Sequence, residues 1–183
     1  MIEKSRIDGI VSAYKNPSVA TICSHSSLQI FHGARQEGLH TIGICLKGKH
    51  RMYDAFPLAK PDEFIFVDSY KDIPSTELVS RDAILVPHGS FVEYLGEKLD
   101  DLQAPVLGNR TSLVWERSRE KMFEWMKAAG LRTPKVFSKA EDIDCPVIVK
   151  FPGAKGGRGY EVVSSAEEYM KKIGAKKAAI QQF

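Results

Sequence analysis

Four glycines and two cations crowd into the run Gly153-Ala154-Lys155-Gly156-Gly157-Arg158-Gly159. Glycine lets the chain turn tightly and lets backbone N–H groups face a ligand, while Lys155 and Arg158 add positive charge. Lys150 ends the apolar run just before this segment, so a strand would fix its position. Backbone amides combined with cations are suited to binding a polyphosphate. The same composition is typical of an exposed hairpin with solvated charges, and the pattern leaves both interpretations open.

Two better-known phosphate motifs do not fit this sequence. The glycines from Gly157 onward lead to Val162 and to a predicted strand, whereas a dinucleotide fingerprint ends on glycine and opens a helix. The run from Gly43 to His50 departs from a P-loop at one position, where His50 replaces the serine or threonine that holds magnesium. Its first glycine also lies inside an apolar run instead of following it. The basic residues around His50 are therefore expected in a solvated loop.

A second set of polar residues follows two predicted strands. Ser24-His25-Ser26-Ser27 comes after one apolar run, and Pro87-His88-Gly89-Ser90 comes after another. If these strands are parallel, both segments lie at the carboxyl edge of the sheet, where α/β proteins gather ligands. Free N–H groups and the helix dipole favour a phosphate there. A histidine so placed is also typical of a helix cap or core residue, and Ser90 of an ordinary N-cap.

The elements that would position these residues form an alternating pattern. Near-continuous apolar runs separated by amphipathic segments predict an α/β fold with a Rossmann-like parallel sheet. One helix begins at Ser26 or Ser27 and ends at Gly38. The predicted strands are Val19–Cys23, Thr41–Leu46, Glu63–Val67 and Ala83–Val86, with Pro105–Leu107 as a candidate fifth.

The pattern changes in the second part of the sequence. A long helix is predicted from Ser112 to Ala129, with Gly130 closing it. After it the pattern predicts a strand, a glycine-rich loop, a return strand, a helix capped by Ser165 and a last strand; these are Val147–Lys150, Phe151–Gly159, Tyr160–Val163, 166–173 and Ala178–Gln182. Because the sequence stops within a strand, we expect a truncated domain.

Composition excludes several classes of function. The net charge of +3 is weak and no run of five like charges occurs, so binding to nucleic acid or to a membrane surface has no support. The three cysteines form no C-x-x-C pair, which favours free thiols in a reducing compartment over a zinc site. The polar start lacks a signal core, and no apolar run approaches the roughly 18 residues of a membrane span. We expect a cytoplasmic protein.

The segment from Arg119 to Gly159 resembles the opening of an ATP-grasp fold, with a helix, a strand ending in lysine and a glycine-rich flap. A closer resemblance covers nearly the whole chain. The runs Cys23–Ile30, Val86–Phe91, Gly108–Arg110 and Val149–Tyr160 resemble the archaeal formate-dependent 5-formaminoimidazole-4-carboxamide ribonucleotide synthetases, which are purine-biosynthesis ligases.

This resemblance implies an ADP-forming carbon–nitrogen ligase of IMP biosynthesis that formylates aminoimidazole carboxamide ribonucleotide through formyl phosphate. It implies a Rossmann-like substrate domain over 1–110, followed over 111–183 by a linker helix and the start of an ATP-grasp domain. Its implied ligands are ATP, formate, the ribonucleotide and Mg²⁺, with metal ligands and adenine hinge beyond Phe183, and its members associate as homo-oligomers. Family members are about twice as long, so this chain alone is expected to bind nucleotide without catalysis.

The resemblance also assigns individual residues. It places His25, Ser26 and Ser90 in the ribonucleotide site. It places Lys150 on the ATP phosphates. The flap and a second cation complete the implied ATP site: Gly153, Lys155, Gly156, Gly157, Arg158, Gly159 and Arg119. Arg119 is also interpretable as a surface residue of a charged helix, and the alternatives for the whole chain are another ATP-grasp carboxylate–amine ligase and a non-catalytic nucleotide-binding module.

Overall fold

The computed structural model describes residues 4–155, 158–176 and 178–183. The chain divides into two compact units, residues 1–113 and 114–183. Helix α6 (Arg110–Arg117) spans the division. The predicted domain bounds, 1–110 for the substrate domain and 111–183 for the linker helix and ATP-grasp lobe, stay a prediction.

The first unit alternates strands with helices. Its elements before α6 are α1 (Lys4–Ala13), β1 (Ser18–Ile22), α2 (Ser27–Gln36), β2 (His40–Leu46), α3 (Arg51–Asp54), β3 (Glu63–Val67), α4 (Ser75–Ser80), β4 (Ala83–Leu85) and α5 (Gly89–Leu95), with short 3-10 segments at Tyr70–Asp72 and Gly96–Leu99. The four predicted strands are confirmed with ends shifted by a residue at most. Pro105–Leu107 contributes an isolated parallel bridge between Val106 and Leu85.

The four strands form one parallel sheet in the order β3-β2-β1-β4. Ser18 of β1 lies level with His40 of β2 on one side and with Ala83 of β4 on the other. The strands are buried because helices supply the apolar cover that a parallel sheet needs. Ala20, Ile22, Ile44 and Leu85 are fully buried.

Gly43 lies in the middle of β2, where the packing leaves no room for a larger side chain. A Cβ there would stand 2.7 Å from Pro61 Cγ and 2.8 Å from Cys23 Sγ, far inside van der Waals contact. The glycine is therefore part of a buried strand, and the rejection of the P-loop interpretation is confirmed.

The prediction of one long helix from Ser112 to Ala129 is wrong. Residues 112–129 form the end of α6 and a separate helix, α7 (Arg119–Ala128), with Ser118 between them in an extended conformation. The Ser118 hydroxyl accepts the Lys121 N–H at 3.3 Å, so a serine inside the amphipathic pattern starts a new helix. Gly130 closes α7 with a positive φ of 73°, as predicted.

The rest of the second unit is a four-stranded antiparallel sheet with one helix. Its elements are β5 (Val136–Phe137), a 3-10 segment at Ala140–Asp142, β6 (Val147–Lys155), β7 (Arg158–Val163), α8 (Ala166–Lys172) and β8 (Ala179–Gln182), in the sheet order β5-β8-β6-β7. Val147, Val149 and Val163 are fully buried and form its core with Tyr169 and Ile180. Ser165 caps α8 through its hydroxyl, as predicted.

The glycine-rich loop predicted over Phe151–Gly159 is wrong in its extent. Strand β6 continues to Lys155 and β7 begins at Arg158, so most of the segment belongs to a β-hairpin. Across the described residues, no helix is long and apolar enough to cross a membrane.

Candidate functional site

The strand order predicts a ligand crevice at the carboxyl edge of the parallel sheet, between β1 and β4. From β1 the chain continues to β2 and β3 on one side, whereas β4 adds on the other side. Such a reversal is a topological switch point, where open α/β sheets bind ligands. The turns that follow β1 and β4 therefore flank the crevice, and these turns carry the polar residues singled out from the sequence.

The turn after β1 is tightly hydrogen-bonded and conformationally unusual. The Ser24 N–H donates to the Ile22 carbonyl at 2.9 Å. His25 is exposed and has a positive φ of 36°, a conformation that few residues other than glycine adopt. Its Nδ1 lies 2.6 Å from Ser26 Oγ. The turn thus holds the imidazole outward with one ring nitrogen engaged.

The two serines predicted as helix caps have other roles. Ser26 occupies the N-cap position of α2, but its hydroxyl makes no capping hydrogen bond to the helix. Ser27 is the first helical residue, and its buried hydroxyl shares a 3.0 Å hydrogen bond with Tyr53 Oη. Neither hydroxyl therefore closes the first turn of α2.

The turn after β4 meets the turn after β1 through two hydroxyls. Ser90 Oγ donates to Ser24 Oγ at 3.1 Å, and both serines are half-buried. Below them, the Thr21 hydroxyl donates to the Val86 carbonyl at 2.8 Å, which continues the pairing of β1 with the chain beyond β4. The structure thus brings Ser90 to the same edge as His25 and Ser26.

His88 connects the same two turns through its ring. One ring nitrogen, Nε2, lies 3.2 Å from the Ile22 carbonyl, and the Ser90 N–H donates to Nδ1 at 3.4 Å. The Phe91 ring makes a T-shaped contact with the imidazole, with the ring centroids 5.5 Å apart. Burial lowers the pKa of His88; the bond to the Ile22 carbonyl opposes the shift, and nearby His25 adds to it.

The thiols behind the turn are shielded. Burial, foremost, raises the pKa values of Cys23 and Cys45, and Cys23 packs with Tyr53 under the turn. Tyr70 donates its hydroxyl to the Cys23 carbonyl. A protonated, buried thiol is a poor nucleophile, so these cysteines support the turn's shape rather than chemistry.

The sequence analysis did not assign Ser24, Thr21 or His88 to the ribonucleotide site. Ser24 stands inside the predicted motif, so its position was a usable signal. The link from His88 to Ile22 joins residues 66 positions apart and leaves no local trace in the sequence.

The predicted ATP-binding residues belong to the second unit. Lys150 lies in the middle strand of three, level with Tyr160 on β7 and with Ala179 on β8. Beyond Lys150 and Tyr160, the next residues paired across the hairpin are Lys155 and Arg158. Four residues of β6, 151–154, and one residue of β7, Gly159, lie between these two pairs. This irregular register is a large bulge, and Gly159 adopts a positive φ of 78° within it.

The remaining residues of the predicted ATP site are placed as follows. Gly153 lies in the bulged stretch of β6. Arg119 is the first residue of α7. Gly156 and Gly157 lie outside the described residues. Within the described ranges, no group of three or more His, Cys, Asp or Glu side chains could hold a metal ion.

Comparison with known proteins places the chain in a family. The family model described as "Protein of unknown function (DUF1246)" matches residues 19–137. The chain is also similar to 5-formaminoimidazole-4-carboxamide-1-(beta)-D-ribofuranosyl 5'-monophosphate synthetases. It is 52% identical to that of Methanothrix thermoacetophila over the whole chain and 53% of the relative, and 51% identical to that of Methanococcoides burtonii over the same shares. The chain thus spans about half the length of these relatives.

Solved structures give the same result for the fold. An IMP biosynthesis protein, PurP, from Thermococcus kodakaraensis superposes with a TM-score of 0.60 and 30% identity over 80% of this chain and 49% of that one. The N5-carboxyaminoimidazole synthetase from Staphylococcus aureus, complexed with ADP, has a TM-score of 0.65 at 14% identity, covering 91% of this chain and 46% of that one. The predicted fold class, a Rossmann-like parallel sheet followed by the start of an ATP-grasp domain, is confirmed.

Proposed function

We propose, on the premise that the chain belongs to the family described as a protein of unknown function (DUF1246), that it is part of an ATP-dependent carbon–nitrogen ligase of purine biosynthesis. Its first unit binds aminoimidazole carboxamide ribonucleotide, and its second unit contacts the phosphates of ATP. Formate is the one-carbon donor. A cytoplasmic location and association into homo-oligomers belong to the same proposal and follow from the resemblance to the synthetases.

The contact between Ser90 Oγ and Ser24 Oγ carries the proposal for the ribonucleotide. It brings the segments after β1 and β4 together at the switch point of the sheet, where a ligand is expected. His25 and Ser26 extend from the same turn. Hydroxyls, an imidazole and the amino end of α2 can bind a phosphate or a carboxamide without a metal ion.

The proposed reaction has two steps. Formate is a poor electrophile, so its oxygen first attacks the γ-phosphorus of ATP, which forms formyl phosphate and releases ADP. The amine of the bound ribonucleotide then attacks the formyl carbon, phosphate leaves with the C–O electron pair, and the amine loses a proton. In this proposal His25 orients that amine or accepts its proton through Nε2, and the 2.6 Å contact between Nδ1 and Ser26 Oγ supports the choice of Nε2.

The ATP side of the proposal rests on Lys150, Lys155, Arg158 and Arg119, with Gly153, Gly156, Gly157 and Gly159 for close backbone approach. Lys150 is held by two neighbouring strands, and the bulge beyond it interrupts the regular ladder. The described residues contain no cluster of three or more metal-binding side chains, and no step here is assigned to a metal held by this chain.

Calorimetric titration of the 183-residue chain with aminoimidazole carboxamide ribonucleotide tests the substrate assignment. His25→Ala should weaken binding about tenfold or more, since a hydrogen bond to a charged group contributes about 1.5–3 kcal/mol, and Ser90→Ala should weaken it less. The matched control is His40→Gln, which alters a histidine at the opposite edge of the sheet. Equal affinity in all four proteins, or no binding by the parent chain, would contradict the assignment.

A chimera tests the reaction. Residues 1–183 replace the matching half of the Methanothrix thermoacetophila relative, and ADP release is followed with and without formate and ribonucleotide. We expect release that needs both substrates and that falls at least about tenfold with Lys150→Ala. Release independent of formate would indicate a different carboxylate–amine ligase.

A further inference from the structure

The carbonyl of Ile22, the last residue of β1, is shared by both turns of the crevice. It accepts the Ser24 N–H at 2.9 Å and lies 3.2 Å from His88 Nε2. A carbonyl oxygen has two lone pairs, so it can accept both hydrogen bonds at once. His88 then receives the Ser90 N–H on Nδ1, and the Ser90 hydroxyl returns to Ser24. The four residues form a closed hydrogen-bonded circuit.

Because two of the partners are backbone groups, the circuit fixes the tautomer of His88. A carbonyl can only accept, so Nε2 carries the proton that faces Ile22. An amide N–H can only donate, so Nδ1 is unprotonated where it faces Ser90. An added proton on Nδ1 would set two donors against each other. Independently of this contact, burial lowers the pKa of the His88 ring.

We propose that His88 is a positioning residue: as the Nε2–H tautomer it ties the start of α5 to the end of β1 and so sets the Ser90 hydroxyl against Ser24 for ribonucleotide binding. This inference rests on the proposed function. The ring acts through the serines and needs no contact with the substrate. Phe91 packs on the ring and α5 follows at once, so a displaced imidazole would carry Ser90 with it.

Two substitutions separate the two ring contacts. The terminal amide nitrogen of His88→Gln can take the place of Nε2 and donate to Ile22. The carbonyl oxygen of His88→Asn can take the place of Nδ1 and accept from Ser90, but its side chain is too short to reach Ile22 as well. His88→Ala removes both contacts, and His40→Gln is again the control at the opposite edge.

The experiment measures ribonucleotide affinity and thermal midpoint for each variant, together with the ¹⁵N signals of the His88 ring in the parent chain. We expect the Nε2–H tautomer and an affinity about tenfold weaker in His88→Ala, because one or two hydrogen bonds that position Ser90 are lost. His88→Gln should recover affinity to within about threefold of the parent chain. His88→Asn should bind as weakly as His88→Ala, with a thermal midpoint no lower than that of His88→Ala because it keeps the contact with the Ser90 N–H.

Three results would overturn the positioning role: an Nδ1–H ring, a His88→Ala affinity within about twofold of the parent chain, or a His88→Gln affinity no better than that of His88→Asn. If His88→Ala does not fold, the Gln and Asn variants decide between the outcomes. If the parent chain binds no ribonucleotide, the proposed function fails. The amide signal of Ser24, whose N–H shares the Ile22 carbonyl with His88, then tests the positioning role, which requires that His88→Asn moves it further than His88→Gln does.

Discussion

At the amino edge of the parallel sheet, charged side chains pair with one another, whereas hydroxyls and imidazoles meet at the carboxyl edge. The amino edge holds His40 3.1 Å from Glu63, Arg81 2.7 Å from the same carboxylate and Arg35 3.6 Å from Asp62. Each of these charges is compensated within the chain. A charged ligand would have to displace an existing ion pair there.

At the carboxyl edge, Lys47 and Asp68 form an exposed ion pair at 2.9 Å after β2 and β3, but the turns after β1 and β4 are built from neutral groups that keep further hydrogen-bonding capacity. A hydroxyl has one donor and two acceptor positions, so the contact between Ser24 and Ser90 does not exhaust either side chain. His25 is exposed on a turn with a positive φ. The difference indicates that charge at the amino edge supports the fold, while polarity at the carboxyl edge remains available for a ligand.

The largest effect on the free energy of unfolding is expected for a substitution at Gly43, which packs against residues from both edges of the sheet. Gly43→Ala would press on Pro61, which precedes β3, and on Cys23, which follows β1. Overpacking of this kind costs about 1–3 kcal/mol, and we expect a loss of unfolding free energy near the upper end together with weaker ribonucleotide binding. Urea denaturation and calorimetry measure the two.

Gly33→Ala is the matched control for Gly43→Ala. A Cβ at Gly33 meets nothing within 4 Å, and the residue lies inside α2. Replacing a helical glycine by alanine should raise stability by about 0.5–1 kcal/mol. If both variants lost the same stability, close packing at Gly43 would not be the cause.

A smaller effect, confined to the amino edge, is expected for Asp62→Ala. Asp62 accepts the Thr41 N–H at 2.9 Å and the Thr41 hydroxyl at 2.7 Å, so its removal leaves two partly buried donors unpaired. The unfolding free energy should fall by about 1–2 kcal/mol while ribonucleotide affinity stays unchanged. Arg81→Gln, which breaks exposed ion pairs, should have a smaller, salt-dependent effect. A large loss of affinity in Asp62→Ala would show that the edges are coupled.

The smallest expected effect is a difference in the pH range over which each edge of the sheet loses its contribution to stability. The lowered pKa of His88 means that its contribution to stability is present above the ordinary histidine pKa of about 6.5 and is lost as the pH falls below it. Burial opposes ionisation of Asp62, but hydrogen bonds from Thr41 and the charge of Arg35 outweigh it; a hydrogen bond from Arg81, foremost, lowers the pKa of Glu63. The carboxylate contribution is therefore lost only as the pH falls through about 4.

Urea midpoints measured from pH 7.5 to 3.5 test this separation. His88→Gln should remove part of the decline between neutral pH and about pH 5 and leave the acidic decline intact, while Asp62→Ala should do the reverse. Identical profiles in both variants would remove the distinction between the edges.

The sequence predicted those parts of the molecule that depend on local pattern. Buried parallel strands are runs of apolar residues, so all four strands of the first sheet were found, and glycines with positive φ marked the ends of α2 and α7. The motifs after β1 and β4 were also placed at one edge, because parallel strands leave little choice.

The failures depend on competition between local structures or on distant partners. Ser118 could have continued a helix or capped a new one, and the capping hydrogen bond decides. The two-residue strand β5 was missed because it exists through pairing with β8, and α1 was not predicted at all. The hairpin keeps a strand conformation at glycines that by themselves favour a loop, because pairing with the neighbouring strand overrides their local propensity.

The bulged hairpin and the crevice also differ in how each arises during folding. Strands β6 and β7 are neighbours in sequence, so their pairing closes a short loop and should form early. Ser24 and Ser90 are separated by 66 residues, and their meeting waits until β4 has crossed to the far side of β1. The nascent chain would therefore acquire its glycine-rich hairpin independently of the crevice, whose completion reports that the whole parallel sheet has assembled.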